Sequence, residues 1–356
     1  MDIRPLVPAD HSAWDRFAES SPDAWFWHTT AWLTYTQEYS GSAFRKDLSF
    51  WVMAQNAPLA IVPAFLEEGP SGPRLAFAGQ ALPFPAVEPS VGEEKRAEVR
   101  RFAVAGLQAL AAQERIDSFQ LRIPGLAPSV LESPLPPSNP MIRIGALDLP
   151  YQTQVIDLRQ EEALLLSAMR DGHRYEIRRA ERALSARVWS ASDITDEKFL
   201  EYQRLHAKDA GRITRSQTTF DLMRSWVRSG HAVLVEVGQA DSPVAFTLII
   251  LYGKGAYYGS SCKDPADPKL PASHLAQWTA MRFLKKTGAT FYDIGIQQFG
   301  PQWFDRPSPK DIGISRFKRG FGGATVPLFT GEFHPDETRL RTAIERRLSE
   351  LPGGLL

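Results

Sequence analysis

The chain has 356 residues, 43% apolar and 23% charged, a balance that excludes disorder along its length and predicts two domains at roughly 100–200 residues each. Its 41 Lys+Arg and 41 Asp+Glu cancel, so a protein basic throughout is excluded and any contact with phosphate or nucleic acid must be local. A single cysteine, Cys262, leaves no internal disulfide and no cysteine-rich zinc site, and no metal is expected. No apolar run nears the roughly 18–20 residues of a membrane span, and Met1-Asp2-Ile3-Arg4 lacks the order of a secretory signal. The expectation is a cytoplasmic protein without a membrane span.

In chain order, residues 14–19 and 30–39 read as helices. Strand-forming runs at 47–54 and 59–66, separated by Gln55-Asn56-Ala57-Pro58, predict a hairpin, with a short strand following at 75–78. Residues 93–114 carry Val99, Phe102, Ala103, Gly106, Leu107 and Leu110 at helical spacing, and 118–123 alternate as a strand. Pro124, Pro128, Pro134, Pro136, Pro137, Pro140 and Pro150 mark 124–150 as a connection that sustains neither a helix nor an interior strand. Beyond it come helices at 161–169, 174–185, 196–210 and 219–229 and strands at 232–237, 243–252 and 255–261. A helix at 273–286 and strands at 290–294 and 325–330 complete the pattern.

A cut near residue 148 divides the chain into domains 1–148 and 149–356. The first holds 12 Lys+Arg against 17 Asp+Glu and the second 29 against 24, so the net charges are −5 and +5. An anionic partner belongs to the second. Both halves run strand, strand, strand, helix, strand, and the spacings between matching residues drift little: 185 for Pro58 and Pro243, 180 for Gly79 and Gly259, 172 for Phe119 and Phe291. An internal duplication of one α/β mixed-sheet domain accounts for this, against two unrelated domains that share an element order.

Three segments carry candidate chemistry. In 166–187 a helical spacing puts Leu166, Met169, His173, Ile177, Ala180 and Leu184 on one face and Arg170, Arg174, Arg178 and Arg182 in a stripe beside it. This is either a solvated face balanced by Asp171, Glu176 and Glu181 or a surface that grips phosphate. His173, on the apolar face, reads as packed. In 310–323, Lys310, Arg316, Lys318 and Arg319 against Asp311 surround Phe317 and Phe321, and Gly320, Gly322 and Gly323 permit close approach of backbone to a ligand. Asp293 ends the strand 290–294, where a carboxylate can orient or deprotonate an amine or cap the next loop. Tyr257 and Tyr258 lie on opposite faces of their strand, so one can reach a substrate. Gly211 reads as a helix terminator with Arg212 just beyond it. No phosphate loop, zinc helix or nucleophile elbow is present, and Cys262 reads as a small buried side chain.

Over nearly its whole length the chain resembles the Fem peptidoglycan-bridge aminoacyltransferases and their FemAB-like relatives in the GNAT superfamily. The matching stretches are His173-Arg-Tyr-Glu-Ile-Arg-Arg-Ala, 202–220 with Arg212, Phe291-Tyr-Asp-Ile-Gly and Phe317-Lys-Arg-Gly-Phe-Gly-Gly, with Thr29-Thr-Ala-Trp-Leu and Phe77-Ala-Gly-Gln-Ala-Leu-Pro-Phe in the first half. The resemblance implies two tandem GNAT-like domains and transfer of an acyl or aminoacyl group to an amine of a glycan precursor, sugar-nucleotide or small metabolite. No tightly bound cofactor is implied. The donor stays open between acyl-CoA and aminoacyl-tRNA, because both a coiled-coil arm and an R/Q-x-x-G-x-G/A loop are missing. By the same resemblance Arg212 and Lys318 bind anionic substrate groups, and Phe317 with Lys318 shapes the site where the carbonyl is attacked; from their own chemistry, Asp293 or Tyr258 orients or deprotonates the amine and Lys318 stabilises developing negative charge. Arg174, Arg178, Arg179 and Arg319 are placed to hold phosphates. The alternative is a non-catalytic module on the same fold that binds RNA or nucleotide phosphate.

Overall fold

The computed structural model describes residues 1–131, 138–239 and 242–349, so Pro134, Pro136 and Pro137 of the expected connection lie outside the described residues. The chain begins with β1 (Asp2–Pro5), α1 (His11–Ser20), α2 (Thr30–Ser40), β2 (Phe44–Asp47), β3 (Phe50–Ala54), β4 (Ala57–Val62), β5 (Phe65–Gly69) and β6 (Gly72–Leu75). There follow β7 (Leu82–Pro83), β8 (Ala86–Val87), α3 (Glu93–Gln113), β9 (Phe119–Arg122), α4 (Pro128–Leu131) and β10 (Leu147–Asp157). Next come α5 (Glu162–Ser167), α6 (Asp171–Ala183), β11 (Ser185–Trp189), α7 (Asp196–Ala210), α8 (Gln217–Arg228), β12 (Ala232–Gln239), β13 (Ser242–Tyr252) and β14 (Gly255–Lys263). The chain closes with α9 (Ala272–Lys286), β15 (Phe291–Gln297), α10 (Pro309–Arg319), β16 (Ala324–Phe333) and α11 (Glu337–Ser349). Two compact units result: one of 1–152, 298–312 and 327–356, the other of 153–297 and 313–326, so neither is a single linear segment.

In the first unit β1, β3, β4 and β8 form one sheet and β2, β5 and β6 another. The hairpin at 50–62 turns at Gln55, whose φ is +55°. The run expected as one strand at 59–66 is divided between the two sheets. Pro63, which has no N–H for a ladder, stands at the break. Trp14, Phe26, Phe50, Trp51 and Ile61 are fully buried around these strands. Within the Phe77–Phe84 stretch, Glu67 explains the turn: wholly buried, it accepts the backbone N–H of Ala78 at 2.5 Å and of Gly79 at 2.9 Å and pairs with Arg74. Residues 124–150 also correct the expectation of a plain connection. Pro128 and Pro140 open short helices, since a missing N–H costs nothing at the first helical position, and Pro150 lies within β10.

In the second unit the strand order is β11-β12-β13-β14-β15, antiparallel as far as β14 and parallel between β14 and β15. Alternation along β12 sends Val233, Val235 and Val237 into a core with Ile177 and Ala180 of α6 and Met281 and Leu284 of α9. On the opposite face Phe246 meets Tyr202 of α7 at 5.8 Å between ring centroids. The expected apolar stripe buries Met169, His173, Ile177, Ala180 and Leu184. It is not one helix, however. Arg170, extended at φ −58° and ψ 144°, separates α5 from α6 and caps the latter, so the arginine stripe keeps only three members on the helix.

Candidate active site

The parallel ladder between β14 and β15 covers only Gly255–Tyr257 against Phe291–Asp293, although β14 continues to Lys263 and β15 to Gln297. Past Tyr257 and Asp293 these two strands make no ladder with each other. The register of β14 against β13 also steps at this level, from Ser260 opposite Leu248 to Tyr258 opposite Ile249, which leaves Gly259 bulged.

Asp293 sits where the ladder stops, 4% exposed. Its Oδ1 accepts the Thr153 hydroxyl at 2.5 Å and the Gly295 N–H at 2.7 Å, while Oδ2 accepts no hydrogen bond among the described residues. Burial pushes its pKa up to about 6, against the lowering effect of Thr153, Gly295 and the Lys318 charge. Lys318, on the last turn of α10, is lowered from the ordinary ammonium range by burial and supported in its charge by Asp293. Its Nζ lies 5.7 Å from the centroid of the Tyr258 ring. The Tyr258 hydroxyl donates to Ser261 Oγ at 2.5 Å, and burial raises its pKa. Gln277, buried in α9, accepts from Tyr292 at 2.8 Å.

The candidate residues Asp293, Lys318 and Tyr258 are therefore brought together. Phe317 packs 5.4 Å from His173 and 5.1 Å from His274, centroid to centroid. His173, 4% exposed, engages Phe317 O through Nε2 at 2.9 Å, and burial lowers its pKa. His274 is held down to about 4 by burial, with the charges of His173, Arg170, Arg179 and Lys263 adding to it. Arg174 bonds Asp171 and the Ser167 and Met169 carbonyls, and Arg179 bonds Glu176 and the Lys269 carbonyl. Arg178 is exposed. Arg319 donates to Gln297 Oε1 at 3.0 Å. Arg212 is exposed beyond the left-handed Gly211 that caps α7, and it makes no hydrogen bond or ion pair with the described residues.

The glycines of 320–323 correct the expectation of backbone approaching a ligand. A Cβ on Gly320 would stand 2.3 Å from the His173 ring, one on Gly322 3.1 Å from Ala168 O and one on Gly323 2.3 Å from Val155 O. They make room for the protein's own chain. Cys262 is 4% exposed and burial pushes its thiol up to about 12. Among the described residues no cluster of His, Cys, Asp and Glu is arranged to hold a metal ion, and no helix is long and apolar enough to cross a membrane.

Thr153, Gln277 and Gln297 escaped the sequence reading, which took in Gly295 only as the end of the Phe291-Tyr-Asp-Ile-Gly stretch. Gln277 leaves a signal, a polar residue among Leu275, Ala276, Ala280 and Met281 on the buried side of a helix. Thr153 leaves none, since its value comes from facing Asp293 across 140 residues.

Residues 167–319 match the model of an acetyltransferase (GNAT) domain. The crystal structure of FemX superposes with a TM-score of 0.66 at 14% identity over 97% of this chain and 100% of that one. L-PGS from Bacillus licheniformis gives 0.58 at 12% identity over 97% of each chain. The C-terminal domain of a putative lysylphosphatidylglycerol synthetase from Agrobacterium fabrum gives 0.50 at 13% identity, over 91% of this chain and 98% of that one. A search of curated proteins finds no match. Residues 167–319 thus match an acetyltransferase (GNAT) domain, and over nearly its whole length the chain shares the two-domain fold of FemX and L-PGS.

Proposed function

We propose that this protein moves an activated acyl or aminoacyl group, from acyl-CoA or aminoacyl-tRNA, to an amine of a glycan precursor, sugar-nucleotide or small metabolite. The observation that carries the reading is the placing of a buried carboxylate, Asp293, and a half-buried ammonium, Lys318, on either side of Gly295 at the point where β14 and β15 cease to pair.

Esters and thioesters are already activated, so the protein need only position the amine, take its proton and stabilise the oxyanion. Asp293 Oδ2 receives the proton or orients the amine. A carboxylate poised near 6 is ionised at neutral pH and closer in basicity to its task than an exposed one. Lys318, charged and partly desolvated, faces the oxygen that gains negative charge. Tyr258 forms the wall beside it. The unpaired edges of β14 and β15 offer backbone groups along which an extended arm of a substrate can lie. Phe317 shapes the site, Arg212 binds an anionic group, and Arg174, Arg178, Arg179 and Arg319 add to the positive field. The reaction belongs to the second half, 149–356, within which Asp293, Tyr258 and Lys318 fall in the unit of 153–297 and 313–326.

A screen of acyl-CoAs and charged tRNAs against a pool of amines tests this. Turnover by wild type that Lys318→Ala abolishes while substrate binding survives is the expected result. No turnover with any donor, alongside RNA binding that weakens steeply with salt, favours the non-catalytic binding module instead.

A further inference from the structure

Three arginines stand at two adjoining helix ends beside the candidate active site: Arg170 at the start of α6, and Arg316 and Arg319 on the last turn of α10. Arg170, at the start of α6, donates its backbone N–H to Gly320 O at 3.0 Å and its Nη2 to Arg316 O at 3.4 Å, so its side chain runs along the last turn of α10. A Cβ on Gly320 would lie 2.7 Å from that same Nη2. Arg319 is fixed by Gln297, whose own Nε2 donates to Gly295 O at 3.0 Å, which ties the cluster to the turn carrying Asp293. Arg316 is exposed.

Neither Arg170 nor Arg316 joins an ion pair among the described residues, whereas Arg174 and Arg179 are matched by Asp171 and Glu176. Burial, then the charges of Arg170 and Arg316, hold Arg319 below the ordinary guanidinium range. Cations suit the C-terminal end of α10, but a helix N-terminus disfavours them, and Arg170 stands at one. A third positive charge is thus set against two others where the local field opposes it. An anion shared by the three offsets that cost, and guanidinium forks match the oxygens of phosphate.

We infer that Arg170, Arg316 and Arg319 form a phosphate-binding site that takes an organic phosphate carried by the activated co-substrate. That the carrier is a co-substrate rests on the acyl-transfer reading; the phosphate site does not. Calorimetric titration with inorganic pyrophosphate at about 50 mM salt tests it. Wild type is expected to bind, Arg316→Ala to weaken binding about tenfold, and Arg170→Gln with Arg316→Ala to lose it, since each charge-assisted bond is worth at least that factor. Lys286→Ala, an exposed change on α9, is the control and binds as wild type, and thermal unfolding checks that all variants are folded. Equal affinity in wild type and the double variant, or no binding by folded wild type, overturns the site. Competition of bound pyrophosphate by coenzyme A or by a short RNA duplex supports the co-substrate and identifies its carrier; competition by neither overturns that part. Lys318→Ala separates the two claims: retained turnover sinks the transfer reading, while pyrophosphate binding reports on the arginines alone.

Discussion

Lys318 Nζ fills the space that a side chain at residue 295 would need: a Cβ on Gly295 would stand 2.6 Å from it, and 3.9 Å from the Tyr257 hydroxyl. Gly295 also has φ +98°, outside what other residues readily adopt. Its backbone N–H holds Asp293, so one glycine seats both charges of the candidate site.

Gly295→Ala should therefore do two kinds of damage. The strained backbone costs about 1–3 kcal/mol, read by urea unfolding, and displacement of the ammonium lowers kcat by about 100-fold or more. Combining it with Lys318→Ala should recover part of the stability loss, because the clash has gone. Strictly additive stabilities would contradict the crowding argument.

The acid limb of the rate against pH should fall near 6, where Asp293 takes up its proton. Thr153→Val removes a hydrogen bond that favours the ionised form, so the limb should move to higher pH; Asp293→Asn should abolish it. The linkage to stability has the matching sign. The folded-state pKa is raised above the unfolded value of about 3.9, so stability falls as pH rises between that value and about 6 and is flat above. A limb that ignores Thr153→Val would remove Asp293 from proton transfer.

Cys262 should resist alkylation in the folded protein. Burial holds its thiol near 12, so almost no thiolate exists at pH 8. Iodoacetamide should label it in urea and leave it untouched in buffer, as intact-mass measurement will show. Rapid labelling in buffer would reverse the assignment of Cys262 as an inert core side chain.

In the first unit, buried Glu332 accepts from Arg347 at 2.6 Å and meets His334 at 3.0 Å. Burial opposes its charge, but the two partners together draw its pKa below the ordinary carboxylate value. Stability from this group is present above about 4.3 and lost as pH falls. Arg347→Met should cost about 3–5 kcal/mol in chemical denaturation, because it strands a buried carboxylate. A loss under about 1 kcal/mol would show that water reaches Glu332.

Much of the fold was legible because local patterns carried it. The alternating Val233, Val235 and Val237, the helical spacing of Met169 to Leu184 and the Gly211 terminator each act within a few residues. The duplicated element order made the tandem GNAT-like organisation readable, and three reactive residue types stood out: Asp293 at a strand end, Lys318 in a basic knot and Tyr258 on a strand. The division of 59–66 between two sheets, the entry of Pro150 into a strand and the tasks of Gly320, Gly322 and Gly323 were not legible, since each depends on a neighbour far along the chain.

Composition and periodicity, being local properties, already set the kinds of element, the acidic and basic halves and the residue types able to do transfer chemistry. Which charges meet came from the folding of distant segments together. Asp293 gained its raised pKa from burial, which outweighs the lowering hydrogen bond from Thr153, Lys318 its seat from a missing side chain at Gly295, and Arg170 its place beside Arg316 and Arg319 from the packing of another helix. Desolvation and Coulomb energy depend on distance in space, and no spacing along the chain encodes that.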